Sequence, residues 1–493
     1  MGHYVGAIDQ GTTSTRFVIV NESGHFVSMT QLEHEQVLPQ PGWVEHRPEE
    51  IWRNTESVIA SALKKASLHA SDLDGVGITN QRETTVLWDR DSGSAVANAI
   101  VWQDTRTAEI SQAFGATYGV EALRARTGLP PATYFAGPKL KWMLDQDETL
   151  AMRAANGELA FGTIDAWLAY KLTGLHVTDV TNASRTMLMD LATLQWDSDL
   201  CTALGVPEAL LPTIVPSVGH IGRCSGVLAG TELVTILGDQ HAALVGQAAF
   251  NPGDTKVTYG TGAFLVSNTG NEIVRSEHGL LSTVAYQVEG AEAQYALEGS
   301  VAVAGSAVQW VRDNLGLIAE SNEIEALAST VEDNGDVYFV PAFSGLFAPR
   351  WRQDARGVLA GLTRYSNKGH IARAVLEATA YQTRDLLDAM ARDIGRPFSE
   401  IRVDGGMVAN SLLMQFQADI LDIDVVVPAV AETTALGAAF GAGMATGVWT
   451  DTSDISSHWR EAARFGPSMD ELERTLLLSG WSKAVDRSLN WIE

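Results

Sequence analysis

Two short turns, each rich in glycine and hydroxyl residues and each set between a pair of apolar strands, constrain this chain more than any other feature. Residues 4–8 form an apolar run ending at Asp9; Gln10-Gly11-Thr12-Thr13-Ser14 then reads as a turn, and residues 17–20 resume a strand before Asn21-Glu22-Ser23-Gly24. Half a chain later, residues 256–259, the turn Gly260-Thr261-Gly262 and residues 263–267 repeat strand, turn and strand. Such a recurrence predicts two halves of one design facing each other. The chain has 493 residues, 45% of them hydrophobic, which is too long for one ordinary core and enough for two. The turn Asn251-Pro252-Gly253-Asp254 supplies the boundary, giving an N-terminal domain of residues 1–250 and a C-terminal domain of residues 251–493.

The first turn suits a nucleotide tail. Glycine permits dihedrals that aim successive N–H groups into one concavity, the hydroxyls add donors, and Asp9 at the strand end can hold Mg²⁺ through water. Arg16 adds a cation. The same composition serves equally as a polar hairpin turn, so taken alone it leaves both readings open. Two facts favour a two-hairpin nucleotide cleft: the chain lacks GxxxxGK[ST], and the second turn supplies an opposing clamp. With 34 basic against 60 acidic side chains the net charge is -26, a field that repels phosphate backbones and anionic lipid. Neither nucleic acid nor a stable membrane association is expected. Cys201 and Cys224 lie in no metal-ligand or CxxC spacing, and no export or anchoring signal opens the chain, so a cytoplasmic protein is expected.

Between and after the two turns, strands and helices alternate and the fold class is α/β. A helix starts at Pro48-Glu49-Glu50; apolar runs at residues 75–79 and 85–88 flank a polar turn; helical patterns lie near Ala122, Lys139 and Asp165. Residues 233–237 read as a buried strand ending in Gly238-Asp239-Gln240, and a helical pattern runs over residues 300–312. Residues 401–404 enter Gly405-Gly406, and Asn410-Ser411 then caps a helix. The small-apolar stretch 435–449 reads as core, too short for a membrane span. Taken singly, Arg82-Glu83 reads as a solvated turn, Asp239 as a helix cap, and Trp102, Tyr134 and Phe264 as ordinary core.

Together, Asp9-Gln10-Gly11-Thr12-Thr13-Ser14, Asn80-Gln81-Arg82-Glu83-Thr84, Trp102-Gln103, Gly238-Asp239-Gln240-His241, Tyr259-Gly260-Thr261-Gly262 and Asp404-Gly405-Gly406 resemble the FGGY carbohydrate kinases, and among them the branch that acts on glycerol. Pro41-Gly42-Trp43-Val44-Glu45-His46, Thr181-Asn182-Ala183-Ser184-Arg185-Thr186 and Tyr295-Ala296-Leu297-Glu298-Gly299 point to the same branch, so the resemblance runs nearly end to end. It implies two ribonuclease H-like domains, of the actin and hexokinase type, facing across a cleft. It also implies transfer of phosphate from ATP, with Mg²⁺, to a terminal hydroxyl of glycerol, giving sn-glycerol 3-phosphate and ADP. By position it assigns glycerol contact to Arg82, Glu83, Trp102, Tyr134, Asp239, Gln240 and Phe264, with Asp239 as general base and Glu83, Asp239 and Gln240 accepting from hydroxyls. Nucleotide contact falls to Thr12, Thr13, Ser14, Arg16, Thr261, Gly305, Gln309, Gly406 and Asn410, and the magnesium side to Asp9. A homodimer or homotetramer is implied. Two other readings stay in play: a kinase of this type for another small polyol or sugar, such as xylulose, ribulose or gluconate, and an actin-like nucleotide switch.

Overall fold

Two apolar runs buried over consecutive residues form the opening hairpin: β1 (Tyr4–Gln10) pairs antiparallel with β2 (Ser14–Asn21), in a computed structural model that describes residues 2–492. With β3 (Phe26–Glu33), β4 (Gly75–Asn80), β5 (Val218–Arg223) and β6 (Glu232–Gly238) they form a sheet in the order β5-β6-β4-β1-β2-β3. β4 lies parallel to both β1 and β6, and parallel neighbours need crossovers. The first crossover is α1 (Pro48–Ala66), which has proline in its first turn, Glu49 and Glu50 at its positive end and Lys64 and Lys65 at its negative end. Its stripe of Ile51, Val58, Ile59 and Ala62 covers the face of the sheet that carries Ile8, Phe17, Ile19 and Ile78. β6 leads directly into α2 (Asp239–Gly246).

The second half repeats the plan. β7 (Thr255–Tyr259), β8 (Ala263–Gly270), β9 (Leu281–Tyr286), β10 (Gln294–Val301), β11 (Glu400–Asp404), β12 (Asp424–Pro428) and β13 (Glu461–Phe465) form a sheet in the order β9-β10-β8-β7-β11-β12-β13. Helix α3 (Gly305–Asp313) follows β10, α4 (Ser411–Leu421) follows β11, and α5 (Thr433–Thr446) follows β12. In both sheets an antiparallel hairpin is extended by two parallel strands, and the second of those feeds a helix. Each half is thus a ribonuclease H-like α/β unit. The repetition goes well beyond the hairpin that first signalled it.

The equivalent helices α2 and α5 cross each other, and together they cover the second face of the first sheet, against Val5, Ala7, Val18, Val20 and Leu237. A division at 250/251 separates the two sheets, but α5, from the second half, packs on the first. The crossing is close because it is made at glycines. A Cβ on Gly246 would lie 1.9 Å from the Thr433 carbonyl oxygen, and one on Gly437 would lie 1.8 Å from that of Ala242. Backbone cannot yield as a side-chain end does, so Gly437→Ala is expected to push the helices apart and cost about 1–3 kcal/mol. A lowered midpoint in chemical denaturation checks this, and an unchanged midpoint would contradict the packing.

Two local expectations are corrected. Residues 300–312 are not one helix: Ser300 and Val301 end β10, which is held between β8 and β9, and α3 starts at Gly305. Tertiary pairing overrides the local pattern there. The turn at Arg82-Glu83 is not a solvated one, because residues Asn80 to Thr85 are all buried. It carries the chain from β4 into a different sheet, a four-stranded one in which Thr85–Asp89 lies beside Ala99–Ile100 and Leu159–Thr163.

Candidate active site

At the first turn the Gly11 N–H donates to the Ser14 carbonyl (2.9 Å), and Gln81 fixes the turn from below by donating to Gln10 Oε1 (3.0 Å) and the Gly11 carbonyl (3.2 Å). Thr12 accepts from the Trp102 indole N–H (2.9 Å), Ser14 accepts from Gln31 (2.9 Å), and Thr13 is exposed. Arg16 lies across the mouth of β1, ion-paired with Glu432 and 3.4 Å from Asp9, so two carboxylates engage the cation expected at phosphate. Burial raises the Asp9 carboxyl to about 6, with Arg16 opposing and the nearby Glu432 and Asp239 reinforcing.

The second turn is tied the same way, the Gly260 N–H donating to the Gly262 carbonyl (2.9 Å). Its carbonyls also receive the start of α3: Gly305 N–H donates to Gly260 (3.0 Å) and Ala304 N–H to Thr261 (2.9 Å). Gly405 closes the third side at a φ of +93°, where a Cβ would lie 2.4 Å from the Tyr259 carbonyl oxygen. The cleft so formed has a volume of about 410 Å³, and Thr261, Gly305, Gln309, Gly406 and Asn410 all line it. Every second-half residue expected at nucleotide therefore faces one cavity. Asn410 also caps α4, accepting from the Leu413 N–H (2.8 Å).

Behind the first turn lies a buried ion cluster. Glu298 on β10 accepts from Arg82 at both guanidinium nitrogens (2.5 and 2.9 Å) and from Arg185 (3.3 Å), while Arg185 also donates to Glu83 (2.6 Å). Burial would raise Glu298, but Arg185 and Arg82 outweigh it and hold the carboxyl well below the usual carboxylate range. Burial lifts Glu83 above its ordinary value against the pull of Arg185 and Arg82. Glu83 also holds φ at +61°, strained for a side-chain-bearing residue and maintained by its ion pair. Asp239, first residue of α2, sits 3.1 Å from Arg82 Nε. Arg185 receives no role from sequence, and Glu298 only that of supporting the cleft, as a cap or as a buried hydrogen bond; a glutamate within the strand segment Tyr295-Ala296-Leu297-Glu298-Gly299 is the available signal.

Trp102 meets Tyr134 and Phe264 edge to face, at centroid distances of 5.7 and 6.0 Å. The three rings, with Gln103, Ser300 and Phe347, line a cavity of about 160 Å³, whereas Arg82, Glu83, Asp239 and Gln240, also expected at glycerol, do not line it. The Arg185 guanidinium lies over the Tyr134 ring at 5.5 Å, and Lys139 holds the loop beneath by donating to the carbonyls of Thr133 (2.7 Å), Tyr134 (2.7 Å) and Phe135 (3.1 Å). Gln240 departs from expectation. Its Oε1 accepts from the buried Lys256 ammonium, a group with no acceptor, so the amide presents Nε2 as a donor and not its oxygen as an acceptor.

Residues 4–246 match the N-terminal domain, and residues 255–446 the C-terminal domain, of the FGGY family of carbohydrate kinases. Glycerol kinases of Brucella anthropi and Chloroflexus aggregans are 58% and 57% identical, over 100% of this chain and 100% of theirs. The crystal structure of Plasmodium falciparum glycerol kinase with ADP superposes with a TM-score of 0.93 at 38% identity, covering 100% of this chain and 99% of that one. Gluconate kinase from Lactobacillus acidophilus shares the fold, at a TM-score of 0.87 and 22% identity over 99% of this chain and 98% of its own.

Proposed function

The chain belongs to the FGGY family of carbohydrate kinases, and on that premise we infer that it transfers the γ-phosphoryl group of ATP to a terminal hydroxyl of glycerol, giving sn-glycerol 3-phosphate and ADP. It is a glycerol-phosphorylating kinase, and this reaction brings glycerol into catabolism. The observation that carries the substrate is the small aromatic cavity of about 160 Å³, whose Tyr134 wall lies under the guanidinium of Arg185. Three rings suit a short carbon backbone, and the polar groups of Gln103, Ser300 and Ser344 in the same lining suit its hydroxyls. A longer sugar needs more room and more polar partners than this cavity offers.

In this reading Asp239 takes the proton from the attacking hydroxyl, Arg82 and the Nε2 of Gln240 donate to substrate oxygens, and Glu83 accepts. Thr12, Thr13, Ser14 and Thr261 cradle the phosphates with the backbone of both turns, and Gly305, Gln309, Gly406 and Asn410 line the nucleoside side. Arg16 exchanges a carboxylate partner for phosphate as ATP arrives. The donor set also fits Mg²⁺. Among the described residues no three His, Cys, Asp or Glu side chains cluster as a protein cage, while Asp9 lies largely buried beside two further carboxylates. One carboxylate with water and phosphate oxygens is how this ion is commonly held. Asp9 would hold it, and the ion would neutralise charge between phosphates.

We place the enzyme in the cytoplasm, with its ATP, as a homodimer or homotetramer, which light scattering resolves. The functional test is ATP- and Mg²⁺-dependent product formation with glycerol beside xylulose, gluconate, erythritol and a no-substrate control. The expected result is strong preference for glycerol with phosphate on a terminal carbon. Turnover only with another compound would move the pocket assignment, and ATP hydrolysis indifferent to every polyol would favour a nucleotide switch.

A further inference from the structure

Lys256 is an unusual residue for its position. It sits on β7, in the middle of the second sheet, and is 0% exposed. Strand alternation puts Lys256 and Thr258 on one face and sends Val257 and Tyr259 into the hydrophobic core of the second half. The ammonium donates to Gln240 Oε1 and to Thr258 Oγ1 (2.9 Å). Gln240 is the second residue of α2, next to Asp239, and its own side chain is 6% exposed. A buried lysine is costly unless it is matched by acceptors, so its retention here needs a reason.

We infer that Lys256 is a positioning residue that fixes the polarity of the Gln240 amide, and thereby makes the pocket select substrates bearing an acceptor oxygen at that point. The inference rests on the glycerol reading of the site. An amide can be turned end for end with little change of shape, so a free Gln would offer either an acceptor or a donor. A donor-only ammonium removes that freedom by claiming the oxygen. In the glycerol reading Nε2 is then the end left to meet substrate, where it complements a hydroxyl or carbonyl oxygen and opposes an alkylammonium. Being fully buried, Lys256 acts through Gln240 and not on substrate directly. The device spans the two halves: the lysine comes from the second sheet and the amide from the helix that follows the first.

The test uses the full-length enzyme with glycerol, dihydroxyacetone and the two aminopropanediols as probes. The native enzyme is expected to accept the first two and reject the amines. In Lys256→Met the glycerol KM should rise about five- to tenfold, the loss of one oriented hydrogen bond, with a much smaller change in kcat. The preference for glycerol over the amines should narrow. Gln240→Glu keeps an acceptor for Lys256 while presenting substrate with an acceptor in place of a donor. It should also raise the glycerol KM and improve the relative use of an amine, which keeps the inference open to refutation if Lys256→Met does not fold. In a Gln240→Ala background Lys256→Met should change the KM no further. A native enzyme that does not phosphorylate glycerol would overturn the parent reading. Native turnover with KM and substrate order unmoved in Lys256→Met or Gln240→Glu, or a full-sized effect persisting without Gln240, would overturn this inference alone.

Discussion

Asp239→Asn is expected to lower kcat with glycerol by about 10²–10⁴-fold while ATP still binds, because it removes the proton acceptor and keeps the shape. Among the charged groups of the cluster, Arg82, Glu83, Arg185 and Glu298 have side chains no more than 1% exposed, whereas Asp239 is 28% exposed. Of the three carboxylates it is the most accessible. It stands at the end of β6, where the chain turns into α2, and its Oδ1 accepts from the Gln240 N–H (2.7 Å) and lies 3.1 Å from Arg82 Nε. An asparagine can still accept the Gln240 N–H through its carbonyl oxygen, so the backbone has no cause to shift. A group needed only in the transition state should lower kcat and kcat/KM together, and isothermal titration with ATP should give a near-native affinity. Near-native turnover would remove Asp239 from the role of base and leave it a helix-end residue that orients Arg82.

The parts legible in sequence were those carried by local pattern. Both tight turns fall where glycine and hydroxyls interrupt apolar runs, and the Asn410 cap is present because its side chain has an N–H to satisfy three residues on. The second-half residues expected at nucleotide converge on one cleft because a short turn, a helix start and a glycine turn lie side by side there. What local pattern hid was set by contacts across the chain. β10 ran on into an apparent helix because only its pairing with β8 and β9 makes residues 294–301 extended. Arg82-Glu83 looked solvated because nothing nearby in sequence announces Glu298, 216 positions away, as its partner. The polarity of Gln240 was unreadable for the same reason. An isolated Gln offers donor and acceptor alike, and the deciding ammonium lies on the next sheet.

Glu298→Gln is the second large effect, on stability and catalysis together. The carboxylate accepts two hydrogen bonds from Arg82 in a forked geometry and one from Arg185, with all three side chains buried. The amide cannot answer both guanidinium groups, and two buried cations would share Glu83 and the partly exposed Asp239. Removing one member of a buried ion network costs about 3–5 kcal/mol, because the remaining charge is left uncompensated. Glu298 joins β10 of the second half to two arginines of the first, so the loss should also let Arg82 drift from Asp239 and lower kcat/KM. The pH dependence gives an independent check. The folded-state carboxyl is held below its ordinary value of 4.5, so its stabilisation is full above that pH and is lost as pH falls toward the depressed folded value. Native protein should therefore lose stability on acidification below about 4.5 more steeply than Glu298→Gln. Adding Arg185→Met to Glu298→Gln also takes away the buried partner of Glu83 and should lower the denaturation midpoint further, whereas a recovered midpoint would mean that Arg185 was the charge left unpaired by the loss of Glu298.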